Sequence, residues 1–131
     1  MNKQELCNVA ITATDKSYSP YSNCKVGAAL LGIDGQVFTG CNIENASFSP
    51  TICAERTAFA KAVSEGVTKF SAIAIAAKRG GKFSTFTPCG VCRQVMSEFC
   101  DADFKVLVVT GESTFEEYTL AELLPASFKL D

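Results

Sequence analysis

Hydrophobic positions change their period several times along the chain, and each change marks an element. Leu6, Val9, Ala10 and Ala13 recur at helical spacing, which predicts an amphipathic helix over about 4–16. Residues 17–23, serine-rich and interrupted by Pro20, read as a loop. Residues 25–33 and 36–41 read as two strands joined at Asp34-Gly35, a short hairpin signal. A loop over 42–51 leads to a helix over 53–65, with Gly66 at its stop position. Residues 70–77 are apolar nearly throughout, as a strand buried on both faces must be. A loop through Pro88 follows, then a helix over about 89–100 and a strand over 104–110. Residues 116–119 add an edge strand, and Thr119 with Glu122 forms a capping-box pattern that starts a short last helix, stopped by Pro125.

The order is therefore α-β-β-α-β-α-β-(β)-α. Strands alternating with helices predict an α/β fold, a three-layer α-β-α sandwich around a central mixed β-sheet. No internal repeat or linker divides the chain, so one domain is expected over 1–131. The helices that open at Cys53 and at Cys89 precede and follow the same buried strand. Their N-termini are expected to converge at one end of the sheet.

Composition narrows the chemistry. A net charge of −2 provides no basic field for nucleic acid or an anionic membrane. The densest basic stretch, Lys78-Arg79-Gly80-Gly81-Lys82, reads as a solvated loop rather than a phosphate patch. The first residues lack the apolar core of a signal peptide and no apolar run is long enough to span a bilayer, so a cytoplasmic protein is expected. Seven cysteines is an odd count, and in a reducing compartment they read as metal ligands or small buried residues rather than bridges.

Cys53-Ala54-Glu55 stands at one helix start, Pro88-Cys89-Gly90-Val91-Cys92 at another, and the chain contains no histidine. Two cysteines one helical turn apart can bite a single metal, and a third from elsewhere completes a three-thiolate set. Structural zinc sites are closed by four protein ligands, whereas catalytic ones keep a position for water. Cys24, Cys41 and Cys100 remain as candidates for a fourth structural ligand, but taken singly, they and Cys7 read as packed residues. Glu55 projects from the same turn as Cys53, placed to take a proton from water made acidic by zinc. Arg56 and the two helix N-termini offset the negative charge of three thiolates. A lone C-x-x-C is weak evidence. Joined to C-A-E 36 positions upstream, it matches the three-cysteine form of the zinc-deaminase signature.

Several longer stretches occur in one order: Tyr18-Ser19-Pro20-Tyr21-Ser22, Lys25-Val26-Gly27-Ala28-Ala29, Gly40-Cys41-Asn42-Ile43-Glu44-Asn45-Ala46, Cys53-Ala54-Glu55-Arg56-Thr57-Ala58, Pro88-Cys89-Gly90-Val91-Cys92-Arg93-Gln94 and Glu122-Leu123-Leu124-Pro125. Over essentially its whole length the chain resembles the small, homotetrameric cytidine deaminases. The resemblance implies one Zn2+ per chain on Cys53, Cys89 and Cys92, with Glu55 as proton shuttle. It implies hydrolysis of cytidine and deoxycytidine to uridine and deoxyuridine with loss of ammonia, a step of pyrimidine salvage. It also implies sugar contacts from Asn42 and Glu44, a base clamp at the backbone near Ala54, and a homotetramer. A carboxylate at Glu44 suits a diol and repels phosphate, which favours a nucleoside over a nucleotide.

Two features depart from the family. Cys24 stands where relatives usually offer a phenylalanine near the base, so either the pocket wall is looser there or Phe48 or Phe128 fills the space. The loop over 79–87 is somewhat longer than usual. The rivals are deamination of another aminopyrimidine, which Asn42 and Glu44 argue against, and a nucleic-acid domain, which the net charge argues against.

Overall fold

Helix α1 (Lys3–Ala13) starts on a reciprocal cap: Asn2 accepts from the Glu5 amide at 2.8 Å, and Glu5 accepts from the Asn2 amide at 2.9 Å. The computed structural model describes residues 1–130; Asp131, the last residue of the expected domain, lies outside the described residues. The predicted first helix extends to residue 16, but the last turn, Thr14–Lys16, is a tighter 3-10 turn. The Thr14 hydroxyl bonds the Ile11 carbonyl at 2.6 Å there.

Strands β1 (Cys24–Gly32) and β2 (Val37–Cys41) pair antiparallel. Their connection is the four residues 33–36, closed by the Gly32 amide on the Gln36 carbonyl, rather than a two-residue Asp34-Gly35 turn. After α2 (Ala54–Ser64), β3 (Phe70–Arg79) lies beside β1 and antiparallel to it. Helix α3 (Gly90–Phe99) crosses over to β5 (Lys105–Val109), which runs parallel to β3. Strand β6 (Phe115–Thr119) closes the far edge antiparallel, and the expected Thr119 capping box opens α4 (Leu120–Leu123). The sheet order is β2-β1-β3-β5-β6, mixed in direction as predicted.

A further departure from the sequence reading follows β3. The supposed loop over 79–87 begins with a hairpin: β3 runs on to Arg79, and β4 (Lys82–Ser84) folds back against it. Gly80 and Gly81 both take positive φ, 59° and 76°, the backbone that a two-residue hairpin turn demands. The Gly-Gly pair was the signal; the surrounding charges masked it.

Both faces of the sheet are covered, which explains why β3 is apolar throughout. Ala29, Ala74, Ala76, Leu107 and Val109 face α1, packing on Leu6, Cys7 and Ala10. Ala28, Leu30, Ile73, Ile75, Val106 and Val108 face α2 and α3. Phe59 of α2 joins these two helices, with its ring 6.1 Å from Phe99 of α3 and 5.1 Å from Phe70 of β3. Among the described residues no helix is long and apolar enough to cross a membrane.

This packing directs both helices. Helix α2 leads through Gly66 into the start of β3, so it runs back along the sheet and its N-terminus lies at the C-terminal end of β3. Helix α3 begins past that same end. In open α/β sheets, binding sites collect at such strand ends.

Gly40 on β2 sets how closely α2 lies. A Cβ at this position would stand 2.5 Å from the Ala58 amide nitrogen and nearer still to the Ala54 carbonyl oxygen. Helix α2 therefore rests on bare backbone at the turn that carries Cys53 and Glu55. Gly40→Ala is expected to push this turn outward and destabilise the fold by about 1–3 kcal/mol, the usual range for overpacking. Gly90→Ala, whose Cβ meets nothing within 4 Å, serves as the control. Thermal unfolding of both variants checks this: a G40A protein as stable as G90A contradicts the close approach.

Candidate active site

Cys53 and Cys89 are the N-cap residues of α2 and α3, each in extended backbone conformation just before its first helical turn. Cys92 lies within the first turn of α3, and the Cys89 thiol accepts from its amide at 3.5 Å. The three sulphurs all lie within 4.8 Å of one another. Cys53 and Cys89 are 3.9 Å apart, Cys89 and Cys92 3.5 Å. Thiolates on a tetrahedral zinc at about 2.3 Å stand about 3.8 Å apart, so the donor set fits that ion without rearrangement. The convergence expected from the element order is present.

The electrostatics favour anionic sulphur. The Cys53 thiol is lowered to about 5, first by hydrogen bonding with Cys92 and then by Arg56 and Cys89. Arg56 Nη2 approaches Cys53 Sγ at 3.5 Å. Cys92 is pushed the other way, chiefly by its hydrogen bond to Cys53 and by burial. A bound dication removes that conflict, because a coordinating thiol is deprotonated outright. Two helix N-termini aimed at the cluster add further positive potential. The remaining cysteines are packed or capped. Burial raises Cys7 to about 11 and Cys100 to about 12, and the Cys41 thiol donates to the Lys16 carbonyl at 3.3 Å.

Glu55 sits in the same first turn with only 5% of its surface exposed. Burial, more than any neighbouring charge, pushes its carboxyl up to about 7; Cys53 adds to the rise, while Cys92 and Arg56 oppose it. A carboxyl poised near neutrality can take and return protons. Ala54, beside it, is fully buried with its carbonyl against Gly40.

The segment 42–44 is tied directly to this turn. Ile43 and Ile52 exchange both backbone hydrogen bonds at 3.0 Å, so Asn42 and Glu44 flank a residue paired next to Cys53. The Asn42 carboxamide braces the loop: Oδ1 accepts from the Val26 amide at 2.9 Å and from the Ser17 hydroxyl, and Nδ2 donates to the Cys24 carbonyl at 2.8 Å. Glu44 Oε1 accepts from the amides of Tyr21 and Ser22 at 3.0 and 3.1 Å, and Oε2 accepts from the Ser22 hydroxyl. These donors, led by the Ser22 hydroxyl, hold the Glu44 carboxyl below its usual range. Ser17, Tyr21 and Ser22 thus join the site as supports. For Tyr21 and Ser22 the signal in the sequence was the Tyr18–Ser22 stretch that carries the family resemblance; Ser17 had none.

A cavity of about 350 Å³ is lined by Tyr21, Ser22, Glu44, Asn45, Phe48 and Thr51. Phe48 is therefore at the cleft, but 81% exposed. Phe128 is 64% exposed on the C-terminal segment and is not among the lining residues. Cys24 is buried at the start of β1, opposite Arg79, and its carbonyl accepts from Asn42 Nδ2.

The raised Glu55 carboxyl has a consequence for stability in metal-free protein. Below about 4.5 the group is protonated in both folded and unfolded chains. As pH rises to about 7 the unfolded chain ionises while the folded one stays protonated, so stability falls and then levels. Glu55→Gln removes that loss, so metal-free E55Q should gain on the wild type by about 3 kcal/mol at pH 8 and by nothing near pH 4. Denaturant unfolding of both proteins at the two pH values tests this; a pH-independent difference contradicts it.

Comparison with known proteins agrees with the site. The family described as cytidine and deoxycytidylate deaminase zinc-binding region matches residues 1–108. The cytidine deaminase of Sporosarcina psychrophila is 48% identical over 98% of this chain and 92% of its own length. That of Halalkalibacterium halodurans is 50% identical over 98% and 95%. The crystal structure of cytidine deaminase from Burkholderia pseudomallei superposes with a TM-score of 0.89 at 41% identity, covering 98% of this chain and 100% of that one. With a thiol triad spaced for zinc and a buried carboxyl beside it, the chain belongs to the zinc-dependent cytidine deaminase family.

Proposed function

We propose that this protein hydrolyses the 4-amino group of free cytidine and deoxycytidine, using zinc held by Cys53, Cys89 and Cys92. The observation that carries this reading is the Glu55 carboxyl, buried within one helical turn of three thiols spaced for a metal. Zinc, when bound, supplies water acidic enough to be deprotonated near neutral pH. Glu55 takes that proton, delivers it to N3 of the base, and carries the next one to the departing amine. Cytidine and water become uridine and ammonia: a C4–O bond forms and the C4–N bond breaks. Together with Cys92, Arg56 helps hold Cys53 anionic, and the backbone at Ala54 borders the base.

Asn42 and Glu44 hold the sugar with what their bracing roles leave free. A carboxamide offers two acceptor and two donor positions, of which Asn42 uses all but one N–H. A carboxylate offers about four acceptor sites, and Glu44 spends three of them on the Tyr21–Ser22 turn. The remaining donor and acceptor match a pair of hydroxyls.

The active assembly is a homotetramer. The resemblance to the small homotetrameric cytidine deaminases supports this. Seven cysteines, none in a disulfide, support a reducing cytoplasm.

Two experiments test the chemistry and the sugar contacts. Glu55→Gln should keep its zinc while ammonia release from cytidine falls by about 10²–10⁴-fold or more; near-normal turnover contradicts the role given to Glu55. Glu44→Ala should raise KM for cytidine several-fold with little effect on any turnover of free cytosine, which has no hydroxyls. Asn42→Ala should also lower Tm, because it unties Val26, Cys24 and Ser17. Equal losses on nucleoside and base with E44A contradict the sugar contact.

A further inference from the structure

Arg93 follows Cys92 directly and is one helical turn beyond Cys89, whose carbonyl accepts from its amide at 3.0 Å. Its side chain turns back instead of reaching solvent. Nε donates to the Pro88 carbonyl at 2.6 Å and Nη2 to the Thr87 hydroxyl at 3.0 Å. Nη1 donates to the Leu123 carbonyl at 2.6 Å, in the last turn of α4. One guanidinium therefore fastens the two residues before Cys89 to a carbonyl 30 positions beyond Arg93 in the chain.

Pro88 is buried, but the segment it belongs to has few backbone bonds to hold it. Phe86, Thr87 and Pro88 make no turn or loop backbone hydrogen bond among the described residues. Pro88 has no N–H to give, and no strand or helix covers 85–88. Cys89 is the exposed member of the thiol triad. Its sulphur position depends on the backbone that enters α3, and Arg93 fixes that backbone from both ends: through the helix it belongs to and through the carbonyl before the ligand. The Leu123 carbonyl is one of the orphans at the end of α4, so the same contact anchors the clamp on a capped helix.

We propose that Arg93 is a positioning residue for the metal: it holds Cys89 at coordination distance and thereby sets how long the zinc stays bound. The inference rests on the reading of Cys89 and Cys92 as ligands. Three acceptors reached from the separate nitrogens of one guanidinium require the arginine fork; a lysine ammonium keeps the charge but cannot span Pro88, Thr87 and Leu123 together. Residues that orient metal ligands typically change metal affinity by about 10–100-fold when removed.

The test is zinc release from the loaded protein into excess chelator, followed with a colorimetric zinc indicator. Arg93→Ala should speed release by about 10–100-fold, Arg93→Lys should recover little of the loss, and Thr87→Val, which removes one contact only, should give a smaller rise. Leu6→Ala, buried against the opposite face of the sheet, supplies a variant of lowered Tm with the clamp intact, and should release zinc at the wild-type rate. Should Arg93→Ala fail to fold, Thr87→Val and Arg93→Lys carry the same comparison. Wild-type release rates in the clamp variants overturn the inference, as does equal acceleration in Leu6→Ala. A wild-type protein that binds no zinc overturns the ligand assignment and the clamp with it.

Discussion

The structure depends on one constraint: three sulphurs from two helices must meet within 4.8 Å while a carboxyl stays buried beside them. Negative groups repel when gathered so closely in a low-dielectric site. The fold answers with position. Both helices present their N-termini to the cluster, Arg56 reaches Cys53, and zinc supplies the remaining positive charge. Glu55 remains the member without a partner, and its carboxyl is raised chiefly by burial, with Cys53 adding to the rise. The same desolvation that makes it costly to ionise suits it to moving protons.

Reaching this geometry requires close packing rather than special residues at the site. The bare backbone at Gly40 lets α2 lie against β2, and the alanines of β1 and β3 let α1 lie close on the other face. Phe59 then fixes the spacing of α2 and α3 through Phe70 and Phe99. A shift of either helix would separate Cys53 from the Cys89–Cys92 pair. The site is thus an outcome of core packing on the side of the sheet that also contains Cys92 and Met96.

Much of this was legible in the sequence because the signals were local or periodic. The apolar run of β3, the capping box at Thr119 and the stop at Gly66 each depend on neighbouring residues only, and each stands where expected. The metal triad was legible because spacing within a turn and chemistry of the donors coincide. The missing parts depend on contacts distant in sequence. The β4 hairpin was hidden because five charged and glycine residues read as solvent-facing, although Gly80-Gly81 alone specifies the turn. Asn42 and Glu44 were visible as polar residues, but their bracing of residues 17–26 needs the loop folded against them. The burial of Cys24 and the exposure of Phe48 and Phe128 depend on where β1 begins and the C-terminal segment runs, which no local pattern encodes.

The central claim is that the metal is held by three sulphurs and keeps one position for water. X-ray absorption at the zinc edge of the purified protein addresses it most directly. The account predicts a shell of three sulphurs at about 2.3 Å and one oxygen at about 2.0 Å. A four-sulphur shell, with Cys24, Cys41 or Cys100 recruited as the fourth ligand, would contradict it and leave no place for the reaction.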